Sequence, residues 1–98
     1  MELFKDPLEF EWDAGNQEKN LVKHRVTNAE CEEMFFDPHK RVLTESLHIG
    51  SFAQERRYVL LGRTKEDRAL FVVFTVRRGR VRVISARDLN RKERGLLP

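Results

Sequence analysis

Residues 69–76, ALFVVFTV, constrain the chain more than any other segment. The run is almost unbroken in apolar, β-branched and aromatic side chains. It is far shorter than the ~18–20 residues a membrane span requires. Its length fits one strand at the centre of a sheet, covered on both faces. A central strand needs partners, and the flanking sequence supplies them. Residues 56–63 form a strand around Tyr58-Val59-Leu60-Leu61, and Lys65-Glu66-Asp67 makes the turn between the two. Arg78-Gly79-Arg80 closes a hairpin into a further strand over 80–87. Residues 41–44 read as a short fourth strand, and 46–54 as a polar loop containing Gly50.

Upstream the period changes. Phe10-Glu11-Trp12-Asp13 alternates as a short strand and ends at Ala14-Gly15. Asn16 is placed to cap a first helix reaching about His24, with Leu21 and Val22 as its apolar anchors. Thr27-Asn28-Ala29-Glu30 has the form of a capping box. It opens a second helix through Cys31, Met34 and Phe35, which Asp37-Pro38 ends. Asp88 or Asn90 caps a last helical turn over 91–96. Helices come first and hairpin-linked strands later, which predicts one α+β domain over residues 1–98. Two N-terminal helices are expected on one face of a twisted antiparallel sheet of about four strands, with a short C-terminal helix. The other face is expected to stay open and to carry arginines.

Charge is distributed unevenly. Residues 1–49 carry 6 Lys+Arg and 11 Asp+Glu, whereas residues 50–98 carry 13 and 5. Eleven of those 13 cations are arginines, whose guanidinium fork matches phosphate oxygens in a way that a lysine point charge does not. This is the electrostatic footprint expected of a nucleic-acid binder. A single cysteine, Cys31, excludes an intramolecular disulfide and reads as a buried thiol. No membrane span and no signal-peptide pattern is seen, so a cytoplasmic protein is expected.

His24, His39 and His48 are scattered, and no Cys or His pair has metal-ligand spacing. No glycine-rich phosphate loop or nucleophile elbow is present. The expectation is chemistry without metal or cofactor, or binding alone. RNA carries its own nucleophile, the 2′-hydroxyl. Cutting it requires a base, an acid and fixed cations facing the developing phosphorane charge. The candidate cations are Arg56, Arg57, Arg77, Arg78, Arg80, Arg82 and Arg87. Strict strand alternation puts Arg80 and Arg82 on one face and Arg87 on the other, unless the strand bulges. Glu55, His48 and Glu93 are the candidate proton carriers; Glu55 is equally placed to be a cross-strand salt-bridge partner, and Glu93 to close a capping box. Trp12 is core or rim, or else a base-stacking platform.

The order of the short motifs resembles one family. Phe10-Glu11-Trp12-Asp13, Asn16, Asn20-Leu21-Val22-Lys23-His24 and Val26 are similar to the opening of BrnT-type toxins, with Arg25 standing where that family has glycine. The helix ending at Asp37-Pro38, Glu55-Arg56-Arg57 with Gly62, the strands at 70–77 and 82–87, and the Arg91-Lys92-Glu93-Arg94 tail resemble its later motifs. The resemblance implies a RelE-like fold and a toxin that cleaves RNA to inhibit translation. It implies a BrnA-like ribbon-helix-helix antitoxin in a hetero-oligomer, with operator DNA bound through that antitoxin. On its motif positions fall Glu55, Arg56, Arg77, Arg82 and Arg87, with Trp12, His24 and Glu93; of these Glu55, Arg56, Arg82 and Arg87 are taken with His48 as the catalytic set. Trp12, His24, Arg57, Arg77 and Arg80 are taken as RNA contacts. The rival expectations are a non-catalytic nucleic-acid or protein-binding module and a purely structural subunit whose basic face meets an acidic partner.

Overall fold

The computed structural model describes residue 4 and residues 7–17, 23–48 and 55–98; for residues 44–48 and 55 it describes the backbone. Four strands, β1 (Arg41–His48), β2 (Glu55–Arg63), β3 (Ala69–Arg77) and β4 (Arg80–Asp88), form an antiparallel sheet in the order β1-β2-β3-β4. The 69–76 run becomes β3, next to the edge, with partners on both sides. A helix, α1 (Asn28–Met34), precedes the sheet, and a short one, α2 (Arg91–Arg94), follows it.

Both capping boxes are formed. In α1 the Glu30 amide donates to Thr27 Oγ1 at 3.0 Å while the Thr27 amide donates back to Glu30 Oε1 at 3.0 Å. Asn90 and Glu93 repeat the exchange at 2.9 Å in each direction at α2. Each box satisfies amides that the first helical turn would otherwise leave without acceptors. After α1 the Asp37 carboxylate accepts the amides of His39 and Arg63 at 2.9 and 2.8 Å. Gly62 makes this approach possible, because a Cβ there would lie 2.9 Å from Asp37 Oδ2.

The main core lies between α1 and one face of the sheet. Leu60, Leu70, Val72, Phe74, Val81, Val83 and Ala86 meet Val26, Cys31, Met34 and Phe35 there. Each large side chain so buried contributes about 1.5–3 kcal/mol. A smaller cluster lies on the opposite face, where Val59, Leu61, Ala69 and Leu89 pack with Phe71, Val73 and Leu97. The C-terminal residues therefore cover one end of the second face, and β3 is covered on both faces only at that end.

Three expectations change. Among the described residues one helix stands before the sheet and one after it, rather than two before. Most of the first expected helix, with Leu21 and Val22, lies outside the described residues, although Lys23 and His24 are helical. The amides that Asn16 is expected to cap lie outside the described residues. Asn16 is 3% exposed and clamps a turn, accepting from the Asp13 amide and donating to the carbonyls of Glu11 and Val83. The stretch around Phe10 is not a ladder strand but a single parallel bridge to Val81 that covers the outer edge of β4. Finally, β1 runs to His48, twice its expected length, because a bulge between Thr44 and Leu47 lets the polar stretch keep pairing with β2. His48 thus ends a strand, and Gly50 lies outside the described residues.

Candidate functional site

The decisive local feature is a bulge in β4. Val73 pairs with Ser85, but Phe74 pairs with Val83, so Ile84 is an extra residue. One extra residue reverses the alternation on either side of it. Arg87 pairs with Phe71 and Arg82 with Thr75, both positions on the same face of β3. Arg80, Arg82 and Arg87 therefore share the face away from α1, where strict alternation divides them.

Sharing a face is not sharing a pocket. Phe71 and Thr75 are four residues apart, which separates Arg82 from Arg87 by roughly 13 Å at the backbone. Arg87 sits at the end covered by the C-terminus. Its guanidinium stacks on Phe71, with Cζ 4.1 Å from the ring centroid, and makes two 2.8 Å bonds to Glu93. At the other end of the face the cations cluster. Arg77 pairs with Arg80 across the hairpin, and Arg82 lies beside Thr75. One register step beyond Tyr58↔Phe74 brings Arg57 beside Thr75 from β2. Two strand spacings put Arg57 roughly 10 Å from Arg82. At this same end of the sheet His48 is the register partner of Glu55.

Arg57 stands out within this group. Its Nε is buried and has no hydrogen-bond partner among the described residues. Buried donors are nearly always paired, to protein or to ordered water, so a lone one within the fold is uncommon. The Thr75 hydroxyl, 2% exposed, does not serve it; it donates to the Arg56 carbonyl at 2.9 Å. Arg82, by contrast, already holds carboxylates. Its Nη1 donates to Glu11 at 2.9 Å and to Asp13 at 2.7 Å, and its Nη2 to Asp13 at 2.9 Å. The Arg82 guanidinium beside Asp13 lowers that carboxyl to about 2 and raises its own pKa in return. Arg87 likewise lowers Glu93 to about 2.

The remaining expected site residues are elsewhere. Arg56 alternates onto the face of Tyr58, opposite Arg57, and is exposed. Trp12 packs against the main core and donates Nε1–H to Glu32 at 2.8 Å, on the other side of the sheet from the arginine cluster. His24 is near Asp88, at the end away from that cluster. Cys31 is fully buried, and burial pushes its thiol up to about 12.

One arginine escaped the sequence reading altogether. Arg68 donates to Asp88 at 2.8 and 3.0 Å, to Glu30, and to the carbonyls of Arg25 and His24. It ties the chain before α1 and the α1 cap to the end of β4. Nothing in its local sequence, a turn after Glu66-Asp67, signals that role.

With this geometry in hand, a family model described as "Ribonuclease toxin, BrnT, of type II toxin-antitoxin system" matches residues 12–93. The chain belongs to the BrnT family of ribonuclease toxins. No curated protein matches it. The BrnT motifs quoted from the sequence now have physical content. The Asp13 and Asn16 motif positions fix the N-terminal turn onto β4, one through Arg82 and the other through the Val83 carbonyl. Asp37 joins the exit of α1 to β2. Arg25, at the BrnT glycine position, has φ 56°, the left-handed region that favours glycine. No described helix of this toxin is long and apolar enough to cross a membrane.

Proposed function

We propose that this toxin cuts RNA without a metal, by attack of the 2′-hydroxyl on the adjacent phosphodiester, and so inhibits translation in the cytoplasm. The observation that carries the proposal is the cluster of Arg57, Arg77, Arg80 and Arg82 at one end of the open sheet face, with a buried, unpartnered Nε on Arg57. In this reading Arg57 meets the developing phosphorane charge, Arg77 holds the strand by its phosphates, and Arg82 joins it once Glu11 and Asp13 yield its guanidinium. Such preorganised donors act where charge grows and need no reorganisation during reaction. Glu55 and His48, register partners at the same end, serve as base and acid. A carboxylate and an imidazole are side-chain types that carry protons in general acid–base catalysis. Arg56, Arg87, Trp12 and His24 act outside this centre, Arg87 by gripping RNA further along the face once Glu93 yields it.

The scaffold in this reading is of the RelE type. A ribbon-helix-helix antitoxin of the BrnA kind neutralises the toxin in a hetero-oligomer and carries the pair to operator DNA. Support for an antitoxin comes from the family, whose description names a toxin–antitoxin system.

The test is end-group analysis of RNA incubated with purified toxin in excess chelator. Products ending in 2′,3′-cyclic phosphate, and no cleavage of 2′-O-methyl RNA, are expected. Cleavage that stops on chelation, or that leaves 3′-hydroxyl ends, overturns the mechanism. Retention of RNA without any cleavage favours a binding module instead.

A further inference from the structure

Beside the arginine cluster lies a second feature of different chemistry. The N-terminal run along β4 and the β3–β4 hairpin enclose an open cup of about 300 Å³, lined by Glu9, Glu11, Arg78 and Arg80. Two carboxylates repel a phosphate, so the cup is not one more phosphate grip. Two guanidinium groups equally repel a cation. The lining suits a neutral group with hydrogen-bond donors on one edge and acceptors on another. Among the RNA bases guanine has this pattern: N1–H and the N2 amino group lie side by side, and O6 and N7 are both acceptors. A carboxylate accepts the paired donors, and an arginine fork donates to O6 and N7. Adenine, cytosine and uracil each have a single donor group on the edge a carboxylate would read.

We infer that this cup is a guanine-reading subsite, which holds a base of the bound RNA while the neighbouring arginines hold its backbone. The inference rests on the ribonuclease reading above for its ligand. Position supports it, since Glu11 bonds Arg82 and Arg80 pairs with Arg77, so a base in the cup belongs to a nucleotide lying at the cluster. The hairpin supports it independently. Arg78 has φ 52° and Gly79 φ 79°, the two left-handed positions of a two-residue turn. Asparagine is the favoured residue before that glycine, and an arginine there is strained. No ion pair with a described residue accounts for Arg78. Its presence at a strained tip that lines the cup is explained by a ligand it contacts.

The test uses the full-length toxin and 2′-O-methyl oligonucleotides of uridine carrying one central guanine, adenine or cytosine, so that binding is read without cleavage. The guanine oligomer should bind about ten-fold more tightly than the others, the scale of one good base-edge contact. Glu9→Gln and Arg78→Asn should each reduce that preference to within about two-fold, and Arg78→Asn should also raise Tm, since asparagine tolerates the turn. Equal affinity for all the oligomers, or an undiminished preference in both variants, overturns the inference. Unmodified RNA is tested in parallel. Guanine-selective binding with no cleavage leaves the subsite standing and removes the ribonuclease reading. Cleavage with no base preference does the reverse.

Discussion

Arg57 and Arg68 are the same residue type, both partly buried and both attached to the sheet, yet the fold uses them in opposite ways. Arg68 is saturated: two carboxylates and two carbonyls occupy its guanidinium. Arg57 keeps a buried donor without a partner among the described residues. A saturated arginine has nothing left to offer a ligand, so its value is spent in joining elements of the fold. An unsatisfied one carries a standing cost that only a ligand removes. Exposure and sequence context do not separate these two populations; the hydrogen-bond inventory does.

The sharpest way to break the contrast is Arg57→Ala. Loss of the donor should lower the RNA-cleavage rate by about 100- to 1000-fold, the effect of deleting one preorganised donor. Thermal stability should hold or rise, because the variant also deletes an unpaired buried group. Rate measurements alongside a melting curve decide it. Wild-type cleavage by the variant would move the catalytic centre away from this end of the sheet.

Arg68→Ala should show the reverse pattern. Arg68 and Glu30 side chains are 28% and 25% exposed, while Asp88 is 55% exposed. Stability should fall by roughly 2 kcal/mol, between the ~0–1 of exposed pairs and the ~3–5 of broken buried ones. Activity per folded molecule should stay within a few-fold of wild type. Urea titration gives the first quantity and active-fraction kinetics the second. A large loss of rate at unchanged stability would place Arg68 in the site.

These two residues also show what could and could not be read from the chain. Elements whose signals are local were legible: the capping boxes at Thr27 and Asn90, the 69–76 strand, and the Arg78-Gly79 hairpin all form. The meander order followed from short connections. What failed was non-local. The bulge at Ile84 carries no glycine or other local marker in β4, and without it the faces of Arg82 and Arg87 are misassigned. The clamp that Asn16 makes on the Asp13 turn and on Val83, 67 residues away, was likewise not legible, since a short amide side chain serves both caps and turns. Arg68 was overlooked because its partners lie 20 and 38 residues away. Arginine clustering was visible in the sequence; which arginines the fold had already paired was not.

A smaller effect concerns Arg25, whose carbonyl is one of the acceptors held by Arg68. Its φ of 56° is strained for any side chain with a Cβ. Arg25→Gly should remove that strain and raise stability by about 0.5–1 kcal/mol, partly offset by glycine's greater freedom when unfolded. A higher urea midpoint with an unchanged slope would show it. A lower midpoint would mean that the Arg25 side chain supplies more than its backbone costs.

The smallest effect separates the paired arginines from one another by pH. Asp13 and Glu93 both lie at about 2 in the fold, against ordinary carboxylate values near 4 when unfolded, because Arg82 and Arg87 hydrogen-bond to their charged forms. A depressed carboxylate stabilises the fold above its unfolded pKa, and that contribution is lost as pH falls toward the folded value. Stability should therefore be flat from pH 7 to about 5 and decline between about 4 and 2. The Asp13 carboxylate is half exposed and that of Glu93 is half-buried, so salt screens the Asp13 pair more than the Glu93 pair and the decline should be shallow. Asp13→Asn and Glu93→Gln should each flatten part of it, whereas Arg57→Ala should leave the profile unchanged, since no depressed carboxylate among the described residues depends on Arg57. Were Arg57→Ala to flatten the acid limb as well, Arg57 would have a carboxylate partner in solution, as Arg68, Arg82 and Arg87 have in the fold.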